Sequence, residues 1–199
     1  MKNERFIESI RVENGAFQNL EYHQKRVDAT SERFSFSKRL DLSSIALSQE
    51  NDDKIYKCRI LYSNYEYSME IIKYMKREIS SLKIVYDNNI EYDFKFENRD
   101  SLNDLFEKKG DSSDILIVKS GFITDTSFSN IVFFDGKDYF TPTTYLLNGT
   151  MRQRLLNEKK IRERVIKIED LKNYKRVFLI NALNSLDDNL SIELENIIF

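Results

Sequence analysis

The second half of the chain is punctuated by short, nearly unbroken apolar runs. DILIV (114–118), NIVFF (130–134) and RVFLI (176–180) have the length of strands and read as buried ones, DILIV as a central one. LKIVY (82–86) reads as a strand ended by an Asp-Asn-Asn turn. IEYDFKFEN (90–98) alternates: Ile90, Tyr92, Phe94 and Phe96 fall on one face, with Glu91, Asp93, Lys95 and Glu97 on the other, which predicts a half-buried strand. Asp135-Gly136 predicts a type I′ hairpin between NIVFF and DYFT (138–141). RVIKI (164–168) reads as a strand and EDLKNY (169–174) as a short helix. Two further helices are expected. One is capped by Ser101 and runs to Lys109, where Gly110 stops it; the other covers about 150–159 behind Asn148-Gly149, with Leu155 and Leu156 inward.

The first half is less sharply patterned. Ile7, Ser9 and Arg11 alternate with Glu8, Ile10 and Val12, too mixed to fix a buried face, before a hairpin-type turn at Asn14-Gly15. Residues 21–34 read as a polar helix without Gly or Pro, and 38–50 as a second short helix on Leu40, Ile45 and Leu47. Residues 54–72 predict a hairpin turning at Ser63-Asn64, and the polar stretch 73–80 a linker. Strands, hairpins and interspersed helices give an α+β architecture in two lobes, a small one over 1–76 and a larger one over 77–199.

Composition removes several classes of function. The 199 residues suffice for a sizeable core. A formal net charge of -2 argues against a nucleic-acid partner, a single Cys (Cys58) excludes a disulfide framework and a cysteine zinc cluster, and a single His (His23) argues against a His-ligated metal site; no metal is expected. No apolar stretch approaches the length of a membrane span and the N-terminus has no apolar leader, so a cytoplasmic protein is expected.

No glycine-rich phosphate loop is present, but a helix start plus an arginine is another way to hold an anion, and Gly149-Thr150-Met151-Arg152 has the form of such a start. In isolation each candidate has an ordinary explanation. The Gly149 turn is a common helix start, Lys95 a solvated strand lysine, Asp125 a turn residue, and His23 with Arg26 a surface pair on one helix face.

Their order along the chain changes that. Glu8-Ser9-Ile10-Arg11 and His23-x-x-Arg26 come first. Lys95-x-x-Asn98 and Gly121-Phe122-Ile123-Thr124-Asp125 follow, with Asn130 five residues beyond Asp125. Tyr139-Phe140-Thr141-Pro142 and Asn148-Gly149-Thr150-Met151-Arg152-Gln153 complete the series. This series resembles the class IV aminotransferase family, from about Glu8 to Asn184 and most strongly over 95–156. Members use pyridoxal 5′-phosphate (PLP) and include branched-chain and D-amino-acid aminotransferases and 4-amino-4-deoxychorismate lyase. The resemblance implies the two-lobed fold of type IV PLP enzymes, with a pseudo-barrel second lobe, and a homodimer acting on a small amino substrate.

Residue by residue, the resemblance makes Lys95 the lysine that joins PLP covalently, and Asp125 the acid that keeps the pyridine nitrogen protonated. The family usually has Glu at the latter position. It makes Arg26 a phosphate ligand, with the Thr150-Met151 turn and the Asn181-Ala182 segment as further phosphate contacts. Many aminotransferases have Thr where Ala182 stands. The chain is shorter than typical members, chiefly in the first half, where Arg59 is a candidate for a substrate carboxylate or a plain surface arginine. Asn-Gly-x-Met-Arg-Gln and Asn-Ala-Leu lean toward the lyase members, giving 4-aminobenzoate and pyruvate in folate biosynthesis. Amino-acid transamination, or a non-catalytic relative keeping only the fold, are the alternatives.

Overall fold

The computed structural model describes residues 4–47, 52–188 and 190–199. It divides into two compact units, Met1–Lys76 with Phe94–Asn98, and Arg77–Asp93 with Arg99–Phe199. Both mix strands with few helices, an α+β chain. Among the described residues no helix is long and apolar enough to cross a membrane.

The first unit is built on an antiparallel sheet in the order β2-β1-β3-β4, formed by β1 (Phe6–Glu13), β2 (Ala16–Phe17), β3 (Tyr56–Tyr62) and β4 (Tyr67–Lys73). Asn14 and Gly15 both take positive φ, 52° and 68°, as a type I′ turn requires. The face of β1 that looked mixed is well defined: Phe6, Glu8, Ile10 and Val12 are all 0 % exposed. Helix α1 (Leu20–Arg33) has little apolar surface, yet Tyr22, His23, Val27, Thr30 and Ser31 are buried. It tolerates this because Thr30 and Ser31 donate their hydroxyls to the carbonyls of Arg26 and Val27, one turn back.

The segment 38–50 is no regular α-helix. Only a single 3₁₀ turn, Leu42–Ser44, forms there, capped by Asp41, and residues 48–50 lie outside the described residues. A short apolar set without an uninterrupted helical face supports no more than that.

The second unit contains a nine-stranded sheet among the described residues. Its main path joins β10 (Arg162–Arg164), β9 (Tyr139–Pro142), β8 (Asn130–Phe134), β7 (Phe122–Thr126), β6 (Asp114–Lys119), β5 (Leu82–Tyr86) and β13 (Ile197–Ile198). β11 (Arg176–Ile180) pairs with β8 and with β12 (Ser191–Glu193). β6 lies between β5 and β7 as the all-apolar run required. Because β5 and β6 are parallel, the chain needs a crossover between them; it includes α2 (Asp100–Phe106), which buries Leu102 and Leu105. α3 (Thr150–Asn157) packs Met151 and Leu155 against Val132, Phe178 and Ile180.

Four further expectations need correction. IEYDFKFEN makes no strand: Phe96 forms one isolated bridge with Phe6 and its neighbours are irregular. Its alternation is real but serves two cores, since Ile90 and Tyr92 belong to the second unit while Phe94 and Phe96 pack with the first. Ser101 lies inside α2, whose cap is Arg99, although Gly110 (φ 57°) does end the following 3₁₀ turn. The 135–138 loop is a four-residue connection held by the Asp135 carboxylate, which accepts from the Lys137 and Asp138 amides; only Gly136 there has positive φ. RVIKI is not a full strand: β10 ends at Arg164, and Lys167 makes an isolated bridge to Phe122.

Candidate functional site

In the first unit a charged group is buried where the sheet meets α1. Glu8 is 0 % exposed on β1, beside Ile10 and Phe6. Arg26 grips it with a two-pronged contact, Nε donating to Oε1 at 2.7 Å and Nη2 to Oε2 at 2.5 Å. His23, also 0 % exposed, places Nδ1 2.5 Å from Oε2. Burial by itself would raise the Glu8 carboxyl; the Arg26 charge and the hydrogen bonds from Arg26 and His23 together outweigh it and hold it at about 2. Burial pushes His23 down, and the Arg26 and Lys95 charges add to that against the pull of Glu8, so a neutral imidazole donates Nδ1–H to the carboxylate.

Lys95 belongs to the same unit. Its carbonyl accepts from the Ile7 amide at 2.9 Å, and its half-buried side chain lies within electrostatic reach of His23. Arg59, on β3, stands 3.8 Å from both Glu70 and Glu97, about one-third exposed.

In the second unit the centre is Asp125, buried at the end of β7. Its Oδ2 accepts from the Leu146 and Leu147 amides, both at 3.0 Å, and its Oδ1 from Asn130 Nδ2 at 2.9 Å. The same Nδ2 donates to the Leu147 carbonyl. Burial pushes the Asp125 carboxyl up to about 6, against the Leu147 amide, Asn130, the Leu146 amide and the Arg152 charge.

Asn130 also reaches the start of α3. A Cβ on Gly149 would stand 2.0 Å from Asn130 Oδ1, so only glycine fits, and α3 begins there without a side-chain cap. Thr150 and Met151 form its first turn, their side chains 2 % exposed. Asn181 is engaged locally: Oδ1 accepts from the Leu183 and Asn184 amides, and Nδ2 donates to Ser129 Oγ at 3.0 Å. Ala182 sits in the turn this creates.

The geometry thus gathers His23, Arg26 and Lys95 in one unit, and Asp125, Thr150 and Met151 around Asn130 in the other. Glu8 stood in the sequence series without a role, and its pairing with Arg26 and His23 was not read. The available signal was its period-two register with Phe6, Ile10 and Val12, a carboxylate on an apolar face. Among the described residues no cluster of three or more His, Cys, Asp or Glu could hold a metal.

The raised Asp125 carboxyl makes the stability of the apo protein depend on pH. Its folded pKa is above the ordinary carboxylate value, so its contribution to stability is complete below about 4 and is lost as pH rises through about 6. The apo protein should lose on the order of 3 kcal/mol from this group across that window. Urea midpoints measured at a series of pH values should show the decline, and Asp125→Ala should remove it. An equal decline in that variant would assign it to other groups.

Comparison with known proteins supplies the class. Residues 97–186 match the family model for class IV amino-transferases. A protein of uncharacterised function from Haemophilus influenzae is 36 % identical over 184 residues, covering 90 % of this chain and 98 % of that protein. The crystal structure of a candidate 4-amino-4-deoxychorismate lyase from Haemophilus somnus superposes with a TM-score of 0.85 at 33 % identity, covering 93 % of this chain and 99 % of that one. A PLP-bound aminotransferase from Brucella abortus shares the fold, with a TM-score of 0.72 at 16 % identity, over 95 % of this chain and 79 % of its own. The chain belongs to the class IV aminotransferase family and has the fold of the type IV PLP enzymes.

Proposed function

We propose that this chain is a PLP-dependent, cytoplasmic enzyme that cleaves 4-amino-4-deoxychorismate to 4-aminobenzoate and pyruvate, a step of folate biosynthesis. The observation that carries the cofactor assignment is the Asn130 junction. One side chain fixes the Asp125 carboxylate and fills the space beside Gly149, joining a buried acid to an uncapped helix start. A pyridine nitrogen and a phosphate call for those two partners.

The residues fit the cofactor. Asp125 Oδ1 accepts a hydrogen bond from Asn130 and has a second lone pair for a ring N–H. The first amides of α3 suit a phosphate, and Ala182, without a hydroxyl, offers backbone only. Arg26 brings its charge, oriented by Glu8 through the Nε and Nη2 edge. Bound PLP supplies an electron sink for the bonds at the substrate's amine-bearing carbon.

The work of the chain is then local. Lys95 would hold the cofactor through its amine, and that amine would take up the proton from the substrate's amine-bearing carbon. Asp125, whose carboxylate accepts from three donors of the chain, would keep the ring nitrogen protonated. Arg59 is the proposed partner for a substrate carboxylate.

Elimination is favoured over transamination because aromatisation of the ring that bears the amine drives the loss of pyruvate, and only one substrate must be accommodated. The similarity to the H. somnus protein supports the same reading. We further propose a homodimer: β4, the last strand of the first unit's sheet, leaves Tyr67, Met69 and Ile72 exposed.

The test is product analysis with PLP-saturated protein and aminodeoxychorismate generated in situ. 4-Aminobenzoate and pyruvate should appear without added keto acid, from a species that sediments as a dimer. No such product, beside clear amino transfer to 2-oxoglutarate or pyruvate, would reassign the chain as an aminotransferase. Neither reaction, with no cofactor bound, would leave a fold-only relative.

A further inference from the structure

Arg152 is a buried cation outside the roles assigned above. It projects from the first turn of α3 and is 2 % exposed. Its contacts converge on the loop of residues 142–148. Nη2 donates to the Pro142 carbonyl at 3.0 Å, and Nη1 to Asn148 Oδ1 at 3.1 Å. The guanidinium carbon lies 4.3 Å from the centre of the Tyr145 ring. Both ends and the middle of the loop are therefore tied to one side chain. Nη2 also meets Glu163 Oε1 at 2.5 Å.

That loop is what holds Asp125. The Leu146 and Leu147 amides donate to Oδ2, and the Leu147 carbonyl fixes the Asn130 amide that donates to Oδ1. All three hydrogen bonds to the carboxylate thus depend on the position of residues 146 and 147. Buried Nε has no hydrogen-bond partner among the described residues. Burying such a donor costs stability, so an arginine placed only for packing is a poor solution here; a methionine would fill the space without that penalty. What the arginine adds is a two-pronged brace on the loop and a positive charge that acts on Asp125.

We propose that Arg152 is the positioning residue for Asp125: it braces the 142–148 loop so that the Leu146 and Leu147 amides and Asn130 keep the carboxylate ionised in a single orientation. That Asp125 serves a pyridine nitrogen rests on the function proposed above; the bracing of Asp125 does not. Because Arg152 is also part of the first turn of α3, a single residue couples the acid to the helix start assigned to phosphate.

The test uses the full-length apo protein labelled with ¹³C at the aspartate carboxyl. The Asp125 signal is identified by its loss in Asp125→Ala. In Arg152→Met the Asp125 titration should move up by about one unit, a tenfold weaker acid. Arg154→Met, which removes an exposed partner of Glu158 on the same helix, should leave it in place. Folded Arg152→Met with an unmoved Asp125 titration would overturn the proposal, and so would an equal shift in Arg154→Met.

If Arg152→Met does not fold, Arg152→Lys decides. It keeps the charge but not the two-pronged brace, so Asp125 should still shift upward, at least threefold in acid strength, and no shift would overturn the proposal. A merely structural arginine would lower the melting temperature without moving the titration. Cofactor binding is read separately, from the visible absorbance of protein mixed with PLP. Failure there counts against the proposed function and leaves the Arg152 result standing.

Discussion

Arg26→Ala is expected to remove ~3–5 kcal/mol from the stability of the apo protein, because it leaves Glu8 as an uncompensated buried charge. His23 alone cannot replace the arginine: burial disfavours its charged form, and it offers Glu8 one hydrogen bond in place of Arg26's two. The effect should be strongly non-additive. Glu8→Gln combined with Arg26→Met removes both charges from the apolar face of β1 and should recover most of the loss, since the pair's desolvation disappears with it. The pH dependence has a definite sign. The Glu8 pKa is depressed to about 2, so its stabilisation is present above about 4.5 and is lost as pH falls through about 2. That acid window carries ~3 kcal/mol in the wild type. In Arg26→Ala it should reverse, with stability rising on acidification as Glu8 takes up a proton. Urea unfolding of the wild type, Glu8→Gln, Arg26→Met and the double variant decides the matter, and additive effects below about 1 kcal/mol each would refute it. The double variant also gives the cleaner measure of phosphate binding by Arg26, with PLP affinity expected to fall by about one to two orders of magnitude.

Lys95→Ala should abolish turnover and covalent cofactor attachment while leaving the fold intact. The backbone role of residue 95, its carbonyl accepting from Ile7, survives the substitution. The neighbouring rings of Phe94 and Phe96 stay packed on Phe34 and Phe6. Borohydride reduction of the PLP-loaded wild type followed by peptide mapping should label Lys95 and nothing in the variant. A label on Lys57 or Lys119 instead would mean that the residue correspondence of the second half is wrong. His23 gives an independent report. With the Lys95 charge gone, its imidazole should titrate at higher pH, measured by NMR without any cofactor.

What could be read in advance divides along physical lines. NIVFF, DILIV and RVFLI were legible because a strand buried on both faces leaves a continuous apolar run, and Asn14-Gly15 because both residues accept positive φ. The alternation of IEYDFKFEN was legible as a pattern and misleading as a strand, because period two also arises where one short stretch feeds two cores. The order of Lys95, Asp125, Asn130 and Gly149 pointed to the family. The environment of each did not: the Asn130 contact that excludes a Cβ at Gly149 joins residues far apart in sequence. Glu8 was hidden for a similar reason. A glutamate on an apolar face is explained only by the partners that neutralise it, and these stand 15 and 18 residues away on α1.

The placement of Phe94–Asn98 with the first unit also sets an order of events on the ribosome. A nascent chain ending at Lys76 has all four strands of its sheet and α1, yet the rings of Phe6 and Phe34 still lack Phe94 and Phe96. Synthesis must pass through β5 of the second unit before the first can close its aromatic cluster. Neither unit is thus a module that a single cut in the gene would release. The lysine proposed for the chemistry arrives on the very strip of chain that completes the aromatic cluster, so closure of that cluster and delivery of the amine wait on the same stretch of synthesis.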